Sequence, residues 1–217
     1  MTVRIGVDTG GTFTDVVLYA SEERAVTTAK TASTPPDFER GVLTGIDTVL
    51  ERTGTDPAEV AFLSHGTTVG TNAVLEGDLP RLGLLTNQGL RDVLEIGDQT
   101  RPALYDLQVE KPSPPVPRRR RYGVPGRIDS AGEVVEPLDE DAVRAAVREL
   151  SEQDVTSIVV SMLFSHLNES HERRVGELIE AEAPELDYAL SSAVYPESRE
   201  YERTVTTVLN EAVKART

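Results

Sequence analysis

Two β-rich runs near the start of the chain, VRIGVD and DVVLYA, are joined by TGGTFT (residues 9–14), and this join constrains the fold more than any other stretch. Each run is short, rich in β-branched residues and bounded by a turn signal, so each reads as a strand. Val16 and Val17 directly after the join favour a second strand over a helix, which makes the join a hairpin and not a strand-to-helix phosphate loop. A third run, RAVTTAKTA, completes an antiparallel meander. A tight turn needs one glycine or two. It does not need Thr9, Thr12 and Thr14 between Asp8 and Asp15.

After the meander the pattern changes. Phe38, Val42, Ile46, Val49 and Leu50 recur at helical spacing and Gly54 supplies a stop. EVAFLSHGTT reads as a buried strand breaking into a loop, TVGTNAVLEG as a helix, RLGLLT as a strand and GLRDVLEIG as a short helix. Between about Asp98 and Val124 the regular pattern lapses into a proline- and arginine-rich connection. LDEDAVRAAVRELSEQ then places Val143, Ala146, Val147 and Leu150 on one helical face. SIVVSMLF is a core strand, NESHERRVGELIEAEAP a helix capped by Asn168, and DYALSSAV a further strand. Such alternation indicates an α/β fold. The last helix carries an apolar stripe, Val205, Val208, Leu209, Ala212 and Val213, which either packs back on the domain or serves a partner.

Composition removes several classes of function. There is no cysteine, so disulfides and thiolate metal sites are excluded. The first residues show no secretory pattern, and no apolar stretch approaches the roughly 20 residues that span a bilayer; the expectation is a cytoplasmic protein without a membrane partner. A formal net charge of −15 opposes binding to nucleic acid, and the short run Arg118 to Arg121 reads as a solvated face. His166 and His171, with Glu169 and Glu172, have the wrong spacing to share a helix face as metal ligands. Lys30, Lys111 and Lys214 are the lysines, and neither of the lysine- or glycine-based nucleotide motifs, GxxxxGK[ST] or GxGxxG, occurs. Any phosphate must therefore be held by backbone N–H groups, hydroxyls and metal.

The glycine join suits that task. Adjacent glycines accept positive φ and let an anion approach the backbone, where successive N–H groups form a nest. Thr9 and Thr12 would add hydroxyl donors. Asp8 cannot face phosphate unless a cation lies between them, and a hydrated Mg²⁺ held by one carboxylate and phosphate oxygens fills that place. In SHGTT, Thr67 or Thr68 can cap the following helix, whose first N–H groups favour an anion, and His65 can donate a hydrogen bond or move a proton.

These segments carry a resemblance. GVDTGGTFTDVVL, SHGTTVGTNAVLE, LLTNQGLRDVLEIGDQTRPALYDL, VPRRRRYGVPGRID, LNESHERR and PESREYERTVTTVLN occur in the order of the hydantoinase A and 5-oxoprolinase family, and the whole chain resembles its N-terminal part. Thr100 and Gly70 depart from the residues usual there, asparagine and alanine. The resemblance implies an actin-like, ribonuclease H-like α/β domain over residues 1–217, with the irregular excursion at about 98–124. It implies ATP and Mg²⁺ as cofactors and ring opening of a cyclic amide, a hydantoin or 5-oxoproline, by phosphorylation of its carbonyl oxygen. Asp8 and His65 would be the catalytic residues, with Asp8 holding Mg²⁺ through water. Thr9, Gly10, Gly11, Thr12, Thr14, Asp15, Gly66, Thr67 and Thr68 would surround the nucleotide, and Asn72, Arg101, Tyr105 and Asp106 the substrate. Family members are longer and carry a second Gly-Gly-Thr loop in a following domain. The expected partner is thus a missing C-terminal domain, with a second subunit left open, and the isolated chain is expected to be inactive. Three rivals stay open: a ketone carboxylase subunit of the same family, a sugar- or acid-kinase-like phosphotransferase, and an interaction module using the Val205–Val213 stripe.

Overall fold

In the computed structural model, which describes residues 2–77, 79–100, 102–106 and 108–214, the meander forms as the sequence dictates. Strand β1 (Val3–Thr9) runs antiparallel to β2 (Phe13–Ala20), and β2 antiparallel to β3 (Ala25–Ala32). Helix α1 (Phe38–Thr53) follows and ends on Gly54 in the left-handed region, φ 65°. After a 3₁₀ turn, Pro57–Glu59, strand β4 (Val60–Thr67) joins β1 in parallel, giving the order β3-β2-β1-β4, and leads into α2 (Val69–Glu76).

Period-two alternation decides which face α1 covers. Val3, Ile5 and Val7 of β1, Val16, Leu18 and Ala20 of β2 and Ala29 of β3 are buried with Val49 and Leu50 of the helix. Each valine, leucine or isoleucine among them contributes roughly 1.5–3 kcal/mol on burial. Glycine sets how close the helix lies: a Cβ at Gly45 would stand 2.5 Å from Val16 Cγ2. Of the stripe expected for α1, Phe38, Val42 and Ile46 are only partly buried. Strand β4 departs from expectation more sharply. Read as buried, it has no fully buried residue, and Phe62 and Leu63 are more than half exposed. It is an edge strand of its sheet, and of its residues Val60 packs against the buried cluster.

The chain divides into two compact units, one up to Glu76 and one from Gly77. The second has a parallel sheet, in the order β10-β9-β5-β6, built from β5 (Leu82–Asn87), β6 (Arg121–Val124), β9 (Ser157–Ser161) and β10 (Asp187–Leu190). Between β5 and β6 lie the short helix α3 (Val93–Ile96) and a 3₁₀ turn, Arg118–Arg120. Between β6 and β9 come the hairpin β7 (Arg127–Ile128) and β8 (Val134–Glu136), then α4 (Glu140–Ser151). Helices α5 (Ser170–Glu182), α6 (Ser191–Val194) and α7 (Glu200–Lys214) complete the unit. Strands β5 and β9 are buried along their whole length, as parallel strands with both faces covered must be.

Four sequence expectations change here. The irregular excursion ends before Arg121, because β6 pairs with β5 from Leu84 to Asn87. DYALSSAV splits, with the strand ending at Leu190 and α6 beginning at Ser191, whose hydroxyl donates to Glu172 Oε1 (2.6 Å) and accepts from Arg203 Nε (3.1 Å). The stripe on α7 is not free: Val208 and Ala212 are fully buried beside Leu82, Leu84 and Val159. Val205, Leu209 and Val213 of the same stripe are partly buried. The N-cap of α5 is Glu169, one residue later than expected, and Asn168 Oδ1 accepts from Ser170 N (3.0 Å) just ahead of the helix. No helix of the described residues is long and apolar enough to cross a membrane.

Candidate phosphate-binding site

The β1–β2 connection is a hairpin. Thr9 and Thr14 are partners in register, and Gly10 N–H donates to Phe13 O (2.9 Å). Among the described residues nothing accepts from the N–H of Gly11 or of Thr12. Unmade donors on an exposed loop are what an anion nest requires. Neither glycine has the positive φ expected of it. Their value is steric: a Cβ on Gly10 would meet Phe13 O at 3.3 Å, and one on Gly11 would point toward Asn72 Nδ2 at 3.6 Å.

Helix α2 supplies a second set of donors. Thr67 Oγ1 accepts from Val69 N (3.2 Å) and donates to Thr9 O (3.2 Å), while Thr68 N–H donates to the same carbonyl (3.0 Å). These bonds clamp the end of β4 to the end of β1. The N–H groups of Gly70 and Thr71, in the first turn, have no acceptor among the described residues, and the helix dipole adds its positive end there. Thr68 Oγ1 lies 3.9 Å from the position a Gly10 Cβ would take, so the two sets of donors adjoin.

The hydroxyls divide by strand period. Thr9 and Thr14 fall on the α1 face and are buried. Thr9 Oγ1 shares a hydrogen bond with His65 Nε2 (3.0 Å), and Thr14 Oγ1 with Ser33 Oγ (3.1 Å). Both were expected to face the ligand; alternation turns them inward, where they shape the loop. Thr12, in the loop itself, stays exposed. His65 also stays exposed, with one ring nitrogen engaged by Thr9.

Asp8, next to last in β1, faces the opposite, open side, with its carboxylate bonded to no described residue. Its partner across β4 is Gly66, where a Cβ would stand 3.9 Å from Asp8 Oδ1. Asp15 is an ion-pair partner of Lys30 (2.6 Å). No group of three or more His, Asp or Glu that could hold a metal occurs among the described residues. A single free carboxylate beside unmade N–H donors fits a hydrated Mg²⁺ shared with phosphate, and does not fit a metal held by protein alone.

Ser33 escaped the sequence reading. Its Oγ donates to Gly10 O (2.7 Å) and accepts from Thr14, and its N–H donates to Thr12 O (2.9 Å). The carbonyls of Gly10 and Thr12 are thereby held by Ser33, and the trans peptide turns the Gly11 N–H away from it. The signal was present as the Ser-Thr pair closing TAST, but only tertiary pairing reveals its target. Ser33→Ala is expected to cost about 1–2 kcal/mol. Urea denaturation checks this, and faster amide exchange at Gly11 and Thr12 should accompany it.

Of the substrate-side residues, Asn72 adjoins Gly11. Tyr105, almost fully exposed, and Asp106, which accepts from Gln108 N (2.9 Å), belong to the second unit. Arg101 lies outside the described residues.

Residues 4–183 match the family described as the hydantoinase/oxoprolinase N-terminal region. The gamma subunit of acetophenone carboxylase from Aromatoleum aromaticum is 39% identical over 223 residues, a match covering 95% of this chain and 30% of that protein. The crystal structure of ATP-dependent caprolactamase from Pseudomonas jessenii superposes with a TM-score of 0.82 at 37% identity, over 95% of this chain and 31% of that one. A nucleotide-free acetone carboxylase, described as carrying out ATP-dependent acetone carboxylation, gives 0.89 at 28% identity, over 98% and 32%. The chain thus spans about a third of the length of these relatives.

Proposed function

Because the chain belongs to the hydantoinase/oxoprolinase N-terminal family, we propose that it is the phosphate-binding N-terminal part of an ATP-dependent enzyme that opens cyclic amides. The observation that carries this reading is the pair of unmade N–H groups at Gly11 and Thr12, in the loop that follows β1 with its free Asp8 carboxylate. Gly10, Gly11 and Thr12 surround phosphate, the first turn of α2 with Thr68 adds donors, and Asp8 orients a hydrated Mg²⁺. The ion, when bound, offsets phosphate charge and helps place the terminal phosphoryl group.

A neutral lactam resists attack by water because nitrogen shares its lone pair with the carbonyl. Transfer of the terminal phosphoryl group to the carbonyl oxygen withdraws that density and opens the carbon to water. This chain's residues hold the phosphate tail still while that occurs, and positioning is the larger part of phosphoryl-transfer catalysis. His65, with one nitrogen on Thr9, can hold or pass a proton at its other nitrogen.

A second reading rests on the carboxylase relatives. Their similarity matches that of caprolactamase, and an enzyme activating a ketone oxygen with ATP would use the same loop. A polypeptide of the relatives' length carrying this chain separates the two. ATP hydrolysis stimulated by caprolactam, 5-oxoproline or hydantoin supports the hydrolase; stimulation by ketone with bicarbonate supports the carboxylase. ATP hydrolysis indifferent to both and to Asp8→Asn would remove both readings. The purified 217-residue chain alone is expected to bind MgATP weakly and not to turn it over, since outer phosphates held on one side only stay hydrated. A steady-state phosphate-release assay checks this, and turnover sensitive to Asp8→Asn would contradict it.

A further inference from the structure

A row of charge crosses the sheet face that α1 leaves open. Asp8 on β1 is the register partner of Asp15 on β2, and Asp15 that of Lys30 on β3; direct cross-strand partners share a face. The next place in the row, on β4, is Gly66, which has no side chain. Two carboxylates directly opposite one another repel, and Lys30 offsets this with its Nζ 2.6 Å from Asp15 Oδ2.

The same ammonium stands 5.0 Å from the centre of the Phe13 ring. Phe13 is the residue whose carbonyl closes the loop on Gly10. A carboxylate and an aromatic face therefore hold the cation at the edge of the loop. An ammonium has three N–H donors, and among the described residues only Asp15 accepts one. The side chain is about half exposed, so the other donors meet solvent.

A polyphosphate approaching this face meets Asp8 and Asp15 in a chain of net charge −15. One bound divalent ion does not balance both carboxylates and the ligand. We propose that Lys30 is a phosphate-contacting residue: its ammonium donates to an outer phosphate oxygen, while Asp15 and Phe13 flank it and do not themselves touch the ligand. This rests on the reading of the β1–β2 loop as a phosphate site, and it gives the chain a lysine where the sequence alone suggested backbone, hydroxyls and metal.

The test is calorimetric titration of the 217-residue chain with MgATP and with inorganic tripolyphosphate, using Lys30→Gln, Lys30→Arg and Asp15→Asn. Lys30→Gln should weaken both ligands about tenfold, the loss of one charge-assisted contact. Lys30→Arg should restore most of that, and Asp15→Asn should bind at least as tightly as wild type. Melting temperatures should stay within a few degrees, because half-exposed ion pairs add little stability. Equal affinity in wild type and Lys30→Gln overturns the proposal and leaves the loop reading standing. Equal weakening in Lys30→Gln and Asp15→Asn, or loss of fold in Lys30→Gln, assigns the pair to structure and overturns it too. Failure of wild type to bind either ligand overturns the loop reading as well.

Discussion

Gly45→Val is expected to unfold the first unit. The new Cβ would lie 2.5 Å from Val16 Cγ2, and Val16 cannot rotate away cheaply because a β-branched side chain is stiff at χ1. Val16 is also fully buried between strands and helix, so α1 must lift off the sheet. Overpacking of this kind costs about 3 kcal/mol, more where helix and sheet separate, and a small domain has only about 5–15 kcal/mol in total. The site would go with it, because Thr14 and Ser33 bond to each other under α1. Urea denaturation followed by circular dichroism gives the measurement. A double variant, Gly45→Ala with Val16→Ala, should recover much of the loss, since it removes the methyl that clashes. A Gly45→Val chain of native stability would show that α1 does not lie where the sheet places it.

Gly11→Val should do the reverse, keeping the fold and losing the ligand. Gly11 is exposed and not in the left-handed region, so valine pays no backbone penalty there. Its Cβ would meet only Asn72 Nδ2, at 3.6 Å, an ordinary contact. The branched methyls, however, would occupy the space in front of the Gly11 and Thr12 N–H groups. Losing two charge-assisted contacts weakens affinity by about 100-fold, and Gly11→Ala should lose less. Unchanged MgATP affinity in folded Gly11→Val would take the phosphate role away from this loop.

Much of the fold was legible because local chemistry and global fold agree. The hairpin follows from valines after the glycines, the end of α1 from Gly54, and the buried face of α4 from Val143, Ala146, Val147 and Leu150. The candidate site could be placed on a segment of the sequence, but which of its side chains face outward could not. Threonines 9, 12 and 14 look alike in sequence, yet strand period buries two of them and leaves one exposed in the loop. Ser33 and Lys30 reach the loop through the β2–β3 pairing, and that register is a property of the folded sheet. The exposure of β4 was unreadable for a related reason. An apolar run records an intention to be covered, and does not say what covers it. Likewise Ser191 ends a strand and opens a helix because Glu172 and Arg203, distant in sequence, converge on its hydroxyl.

If the β1–β2 loop and the first turn of α2 form one phosphate site, both should answer together in the amide ¹H–¹⁵N spectrum of the 217-residue chain titrated with MgATP, with Mg²⁺ and adenosine as controls. Shifts are expected at Gly10, Gly11, Thr12, Gly70 and Thr71, saturating together, absent with adenosine and reduced in Asp8→Asn. Shifts confined to other residues, or none at millimolar MgATP, would contradict it.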